Sequence, residues 1–141
     1  MEDSESRIVW TNGCFDILHI GHIELFKFCK SQGDRVVVGI DSDSRVQQLK
    51  GSKRPVNHQN DRREMLLSIR YIDEVVIFNS NKELENFIKT LKPRMVIGAH
   101  YKHKTVIGAD HATGVTFFDI IGNYSTTNMI DEIISRGVST I

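Results

Sequence analysis

The chain has 141 residues, 40% of them hydrophobic and 26% charged, which is the composition of one ordinary globular domain. Its 18 basic and 18 acidic residues balance, so no overall field favours nucleic acid or a membrane surface, and a polyanion would need a local cluster. The two cysteines argue against a disulfide framework or a zinc site, and no apolar run approaches the ~20 residues that span a bilayer.

Residues 1–6 are polar and acidic, unlike a signal peptide, and we expect them to form a flexible tail before one domain over residues 7–141. This start and the free cysteines favour a cytoplasmic protein. Strand and helix signals then alternate along the chain. Strands are predicted over residues 7–12, 34–41, 72–78, 94–98 and 115–120. Helices are predicted over residues 21–32, 45–49 and 62–70, and two more helices are predicted to begin after a capping box at Ser80 and after residues 125–127.

This alternation predicts an α/β fold, a doubly wound, Rossmann-like sheet of five parallel strands in a single domain. In the last helix, Met129, Ile130, Ile133 and Ile134 are expected to face inward. Because ligands of such sheets bind beyond the carboxyl ends of the strands, the polar segments that follow the strands should gather at one mouth.

Two histidines, His19 and His22, lie where the first strand turns into the first helix. Imidazoles at i and i+3 share one face of a helical turn, and the free N–H groups at a helix start favour an anion. Flanking glycines at Gly13 and Gly21 favour phosphate binding over a structural histidine pair, although their spacing fits neither a Walker A loop nor GxGxxG. A metal site is disfavoured, because no third soft ligand has a matching spacing.

A basic loop follows the second strand. It could be a solvated charge cluster, but cations at the strand ends would also stabilise charge that develops on a transferring phosphate. The basic residues of this loop and of the helix after it are Lys50, Lys53, Arg54, Arg62 and Arg63.

The hydroxyl residues Ser125, Thr126 and Thr127 precede the last helix. They are good N-cap residues, and the same helix start offers a second anion site. Two such helix starts and one cationic loop predict a polyphosphate substrate.

At these residues the chain resembles the nucleotidyltransferase superfamily with the HxGH signature, present as His19-Ile20-Gly21-His22. Residues 11–19, the loop over 50–57 and Ser125–Asn128 resemble its cytidylyltransferase-like branch more narrowly. Within that branch the D-glycero-β-D-manno-heptose 1-phosphate adenylyltransferases are most similar, and the glycerol-3-phosphate cytidylyltransferases come next. The resemblance covers about residues 7–136.

The resemblance implies that a sugar- or polyol-phosphate oxygen attacks the α-phosphate of an NTP and releases pyrophosphate, assisted by Mg²⁺. His19 and His22 would stabilise the α-phosphate, Lys50 would act with them, and Asp16 would position substrate or Mg²⁺. Related enzymes are commonly homodimers. The nucleotide would be bound by Asn12, Gly13, Cys14, Phe15, Gly21, Gly98, Tyr124, Ser125, Thr126 and Thr127, and the phosphates or the acceptor by Lys53, Arg54, Arg62, His100 and Lys102.

The chain departs from the heptose enzymes after the fourth strand, where Gly98-Ala99-His100-Tyr101 replaces their typical Gly-Gly-Asp-Tyr. The segment 98–102 is therefore expected to decide the acceptor. ATP with heptose 1-phosphate is the leading interpretation, and CTP with glycerol 3-phosphate or another polyol phosphate is the alternative. A nucleotide-binding regulatory module without catalysis is an alternative of another class.

Overall fold

The computed structural model describes residues 7–120, 122 and 124–137, and the predicted tail over residues 1–6 lies outside this part. Within it, five parallel strands form one sheet in the order β3-β2-β1-β4-β5. The strands are β1 (Ile8–Gly13), β2 (Arg35–Asp41), β3 (Glu74–Phe78), β4 (Arg94–Gly98) and β5 (Gly114–Phe118). The helices are α1 (Ile20–Ser31), α2 (Asp43–Lys50), α3 (Gln59–Leu67), α4 (Asn81–Leu91) and α5 (Thr126–Ser135), with 3₁₀ turns at Ala99–Tyr101 and Ala109–His111. The predicted fold is confirmed.

The strand order reverses beside β1. The chain runs outward from β1 through β2 to β3 and then returns to β4, on the other side of β1. In a doubly wound sheet, ligands bind in the crevice beyond the carboxyl ends of the strands at this switch point. Gly13 and Gly98 end β1 and β4 there, and Asp41 ends the neighbouring β2.

The sheet is covered on both faces, as the apolar run over residues 34–41 predicted. Neighbouring side chains of β1 point to opposite faces, so Val9 belongs to the cluster that includes α1 and α3, whereas Trp10 belongs to the cluster with α4. The Trp10 ring lies over Gly39, where a Cβ atom would stand 2.3 Å from the ring. A side chain at this position of β2 would therefore displace the tryptophan.

Helix α3 begins earlier than predicted. Its N-cap residue is His58, so the expected start near Arg62 and the expected capping box of Asp61 with Glu64 are wrong. Arg62 instead donates its backbone N–H to His58 O at 2.9 Å, inside the first turn. The predicted cap of α4 is confirmed, because Ser80 Oγ accepts the N–H of Glu83 at 3.1 Å.

Helix α5 buries less of its apolar stripe than predicted. Met129 and Ile130 are half-buried, but Ile133 and Ile134 are 59% and 66% exposed, so the inward placement of these two is wrong. The helix is held at its beginning, where Thr126 contacts the turn after β1, and its later turns present apolar side chains to solvent. Among the described residues, no helix is long and apolar enough to cross a membrane.

Candidate functional site

The turn between β1 and α1 has an unusual backbone. Phe15 adopts a left-handed conformation with φ of +48°, which is uncommon for a residue other than glycine. Its buried ring packs 5.1 Å from the ring of Phe26 and edge-on to His22 at 5.2 Å, and this packing offsets the backbone cost. The conformation sends Asp16 into the protein and brings the chain to the start of α1 at His19.

His19 and His22 lie side by side at the beginning of α1, with ring centroids 3.7 Å apart and planes 23° from parallel. The backbone N–H of His19 donates to Nδ1 of His22 at 3.1 Å. Because this Nδ1 accepts, a neutral His22 carries its proton on Nε2. Gly21 leaves room for the His19 ring and for Ile120, since a Cβ atom there would stand 2.9 Å from Cε1 of His19 and 2.8 Å from Cγ2 of Ile120.

The surroundings keep both imidazoles neutral. Burial lowers the pKa of His22 from 6.5 to about 3, and the nearby His19 and Lys50 add to this effect. Burial also lowers the pKa of His19. At neutral pH the turn therefore offers N–H dipoles rather than cations, and Lys50 supplies positive charge beside them.

Acid is expected to destabilise the fold through His22. Below about pH 6.5 the unfolded chain binds a proton at this residue, whereas the folded protein does so only near its pKa of about 3. The free energy of unfolding therefore falls as the pH drops through this window. Between pH 7 and pH 5 in urea unfolding, His22→Gln should lose less stability than the wild type, because glutamine has no group that titrates in this range. Its side-chain oxygen can still accept the His19 N–H, so the start of the helix keeps this contact.

The matched control is His103→Gln, which removes an imidazole at an exposed position and should lose as much stability as the wild type between pH 7 and pH 5. Equal losses of stability in the wild type and in His22→Gln would contradict the assignment of this acid sensitivity to His22.

Asp16, predicted to position substrate or metal, lies inside the protein with its side chain 0% exposed. Its Oδ1 accepts the N–H of Asn57 at 2.8 Å, and its Oδ2 accepts the N–H of Val56 at 2.7 Å and Nε–H of Arg54 at 3.2 Å. The Asp16 carbonyl also accepts from Nδ2 of Asn57 at 2.8 Å. The carboxylate therefore joins the turn to the basic loop, and both of its oxygens already accept protein hydrogen bonds.

Arg62, predicted to contact phosphate, is instead engaged inside the protein with its side chain 0% exposed. Nε donates to Asn57 O at 3.0 Å, and Nη1 donates to Cys14 O at 2.8 Å and to Asp41 O at 2.9 Å. Nη2 donates to Oδ1 of Asp43 at 2.9 Å. Each guanidinium nitrogen thus has a protein acceptor, and Arg62 connects the turn, the end of β2 and the basic loop.

The start of α5 reaches the same turn, as predicted for the hydroxyl segment. Thr126 Oγ1 donates to Ile17 O at 2.7 Å, and the Tyr124 ring lies 6.1 Å from the His19 ring, 22° from parallel. Ser125 Oγ accepts the N–H of Asn128 at 2.9 Å and caps the helix. Since the hydroxyls of Ser125 and Thr126 already have protein partners, an anion here would meet mainly backbone N–H groups and Thr127, which is exposed.

The segment after β4 stays at the periphery. His100 and Lys102 are exposed, the His100 ring lies against Gly98, and its ring contact is to Tyr101 at 4.2 Å. Lys50 and Lys53 are exposed as well, around Gly51 at a φ of +100°. These cations are available to a ligand but are not fixed in place.

Asn12 and Cys14 have partners within the turn region. Oδ1 of Asn12 accepts from Nε1 of Trp10 at 2.8 Å, and Sγ of Cys14 donates to Oδ2 of Asp41 at 3.4 Å. Burial and the Asp41 carboxylate raise the pKa of the Cys14 thiol to about 11, so this sulfur stays protonated and unreactive at neutral pH.

Mg²⁺ finds no protein cage here. In the described part of the chain, no group of three or more His, Cys, Asp or Glu side chains is placed to hold a metal ion. Asp16 is enclosed, and the Asp41 carboxylate accepts Nε–H of Arg45 at 2.6 Å besides the Cys14 thiol. These residues do not fit a metal ion bound mainly by the protein.

Three residues of the site had no role in the sequence prediction. Asn57 connects to Asp16, Asp41 connects Cys14 to Arg45, and Ile120 packs where a side chain at Gly21 would stand. Asn57 lay within a segment that carried the resemblance, which was the signal that could have pointed to it. No local pattern distinguishes Asp41 or Ile120 from ordinary residues at a strand end.

The chain is similar to proteins of one family. A family model described as cytidylyltransferase-like matches residues 10–140. The bifunctional protein HldE of Campylobacter fetus is 46% identical over 134 residues, which are 94% of this chain and 29% of that protein. The bifunctional protein HldE of Nitratiruptor is 44% identical over 130 residues, 92% of this chain and 28% of that protein. The chain thus spans less than a third of the length of these curated relatives.

Among solved structures, the lipopolysaccharide core biosynthesis protein of Thermoplasma volcanium superposes with a TM-score of 0.66 at 24% identity. The match covers 86% of this chain and 100% of the other chain. At this identity the likeness supports the fold alone.

Proposed function

This chain belongs to the cytidylyltransferase-like family, and from that premise we propose that it joins an NTP to a sugar phosphate and releases pyrophosphate. The observation that carries the proposal is the convergence of three phosphate-directed segments at one mouth. Asp16 ties the histidine turn to the basic loop, and Ile17 ties it to the start of α5. Family and relatives together indicate a nucleotidyltransferase.

In this reaction an oxygen of the acceptor phosphate attacks the α-phosphorus of the NTP. The bond from that phosphorus to the bridging oxygen breaks, and pyrophosphate leaves with its electrons, without a covalent enzyme intermediate. Negative charge grows on the α-phosphate oxygens and on the leaving group. Nε2–H of His22 and the helix start beside it are donors oriented before the reaction, which is how fixed dipoles lower such a barrier.

The exposed Lys50 and Lys53 would close on the triphosphate from the basic loop. Mg²⁺ would arrive with the phosphates, because the described residues do not form a cage for it. ATP and heptose 1-phosphate are the substrates that the sequence resemblance favours. We also propose that the protein acts as a homodimer in the cytoplasm.

The acceptor would meet the segment after β4, where His100 stands at the carboxyl edge. The chain has an imidazole here, where the heptose enzymes that it resembles typically have a carboxylate. This difference is the observation that favours the second candidate, a polyol-phosphate acceptor with CTP. Lys102 beside it adds a cation that suits any phosphorylated acceptor.

Pyrophosphate release from each of ATP, CTP, GTP and UTP, with Mg²⁺ and a panel of sugar and polyol phosphates, tests the proposal. We expect turnover with one sugar phosphate and one preferred nucleotide. Turnover only with a polyol phosphate and CTP would replace the leading candidate by the second. Nucleotide binding without pyrophosphate release from any pair would show a regulatory module and contradict the proposed reaction.

A further inference from the structure

We propose that Arg54 is the pre-positioned phosphate-binding cation of the basic loop and that Asp16 is the positioning residue that holds it. This inference rests on the proposed function, and it assigns to Asp16 a role other than binding metal. It also gives Arg54 and Arg62 different roles, because Nη2 of Arg54 has no protein acceptor, whereas each guanidinium nitrogen of Arg62 has one.

The first observation is a donor without a partner. Among the buried side-chain nitrogen and oxygen atoms of the described residues, Nδ1 of His19 and Nη2 of Arg54 have no hydrogen-bond partner. Leaving a buried N–H unsatisfied costs roughly 1–3 kcal/mol, so native proteins rarely do so without a reason. Both atoms belong to segments that meet at the carboxyl edge of the sheet, where a phosphate is expected.

The second observation is that Arg54 is held before any ligand arrives. Its side chain is 15% exposed, and its Nε–H donates to Oδ2 of Asp16 at 3.2 Å. The same carboxylate accepts the backbone N–H groups of Val56 and Asn57, so the guanidinium and the loop backbone share one anchor. Lys50 and Lys53 are exposed and would lose rotamer freedom on binding, whereas Arg54 has already lost it.

The third observation concerns charge. The contact with Asp16 compensates the charge of Arg54, so its contribution to phosphate binding comes from directed N–H groups more than from net charge. A guanidinium can bind a carboxylate through Nε and still present Nη2 to a second oxyanion, because its five N–H groups form a planar fork. A lysine at the same place would have its three donors on one nitrogen, so it lacks separate nitrogens held in fixed directions toward the carboxylate and the second oxyanion. The ligand class is an inorganic or nucleoside polyphosphate.

Binding of inorganic pyrophosphate, measured by titration calorimetry without turnover, tests the inference. Arg54→Lys keeps the charge but removes the fork, and we expect it to weaken binding about tenfold or more. Asp16→Asn should weaken binding similarly, and it should raise the KM for the NTP more than it lowers kcat. Arg54→Lys with pyrophosphate affinity within about threefold of the wild type would overturn the inference.

The matched control is Asp73→Asn. Asp73 also accepts a backbone N–H, from Val36 at 2.8 Å, and a cation, Lys30 at 3.0 Å, but near the opposite end of the strands. This variant should leave pyrophosphate binding unchanged. If Asp16→Asn does not fold, Arg54→Lys alone decides, because it leaves the backbone contacts of Asp16 intact.

Wild-type protein that fails to bind pyrophosphate would also overturn the inference. Pyrophosphate release from an NTP and an acceptor, measured in the same preparation, then tells whether the proposed reaction still stands.

Discussion

Replacing His22 by alanine is expected to lower kcat for pyrophosphate release by about 10²–10³-fold, the usual cost of losing one oriented donor to a developing oxyanion. The imidazole is neutral, because burial lowers its pKa to about 3, and its Nδ1 accepts the His19 N–H. Its Nε2–H is therefore the group left to donate. KM for the NTP should change much less than kcat, because the contact strengthens as charge develops in the transition state.

His22→Ala removes both the acceptor for the His19 N–H at the start of the helix and the Nε2–H donor, so the two losses must be measured separately. His22→Gln restores an acceptor for the His19 N–H, so it should recover the melting temperature of the wild type better than it recovers kcat. His111→Gln is the control, since this histidine contacts Glu85 of α4, away from the turn. A kcat of His22→Ala within about threefold of the wild type would remove His22 from the mechanism.

The layers of the fold could be predicted because each rests on local periodicity. The apolar run over residues 34–41 indicated a strand buried on both faces, and its neighbours Val36 and Val37 are both fully buried, one in the core cluster on each face. The start of α3 could not be read in the same way. Asp61 and Glu64 have the spacing of a capping box, but the helix begins after His58, which occupies the N-cap position without a side-chain hydrogen bond to the helix, and no local rule ranks one start above the other.

The site was predicted as a set of segments but not as a set of contacts. The spacing of His19 and His22 is local, and so is their place at a helix start. The contact of Asp16 with Asn57 joins residues 41 positions apart, and two residues so distant carry no common pattern in a single sequence. The inward placement of Ile133 was predicted wrongly for the same reason. The amphipathic pattern of a helix predicts that it has an apolar face, but not which other element covers that face.

Arg62 shows most clearly what the sequence could not separate. In a basic loop and the helix after it, every arginine resembles a phosphate ligand, yet this one is enclosed and donates to three carbonyls and to Asp43. Arg62→Ala should lower the free energy of unfolding by about 3–5 kcal/mol, because it leaves a carboxylate and buried carbonyl groups without their donor. A domain has only about 5–15 kcal/mol in total, so the variant should be partly unfolded at modest urea concentrations.

The adjacent Arg63→Ala is the matched control. Its side chain is 44% exposed, contacts Glu64 at 3.9 Å and donates Nε–H to Val75 O at 3.4 Å, so its loss should cost only about 1 kcal/mol or less in the same urea titration. The two variants remove the same charge from neighbouring positions, so a difference between them measures burial and hydrogen bonding rather than charge. An Arg62→Ala variant that kept the stability of the wild type but bound nucleotide weakly would contradict this prediction. The guanidinium would then bind the ligand, as the sequence analysis predicted, and its hydrogen bonds within the folded chain would not be its main role.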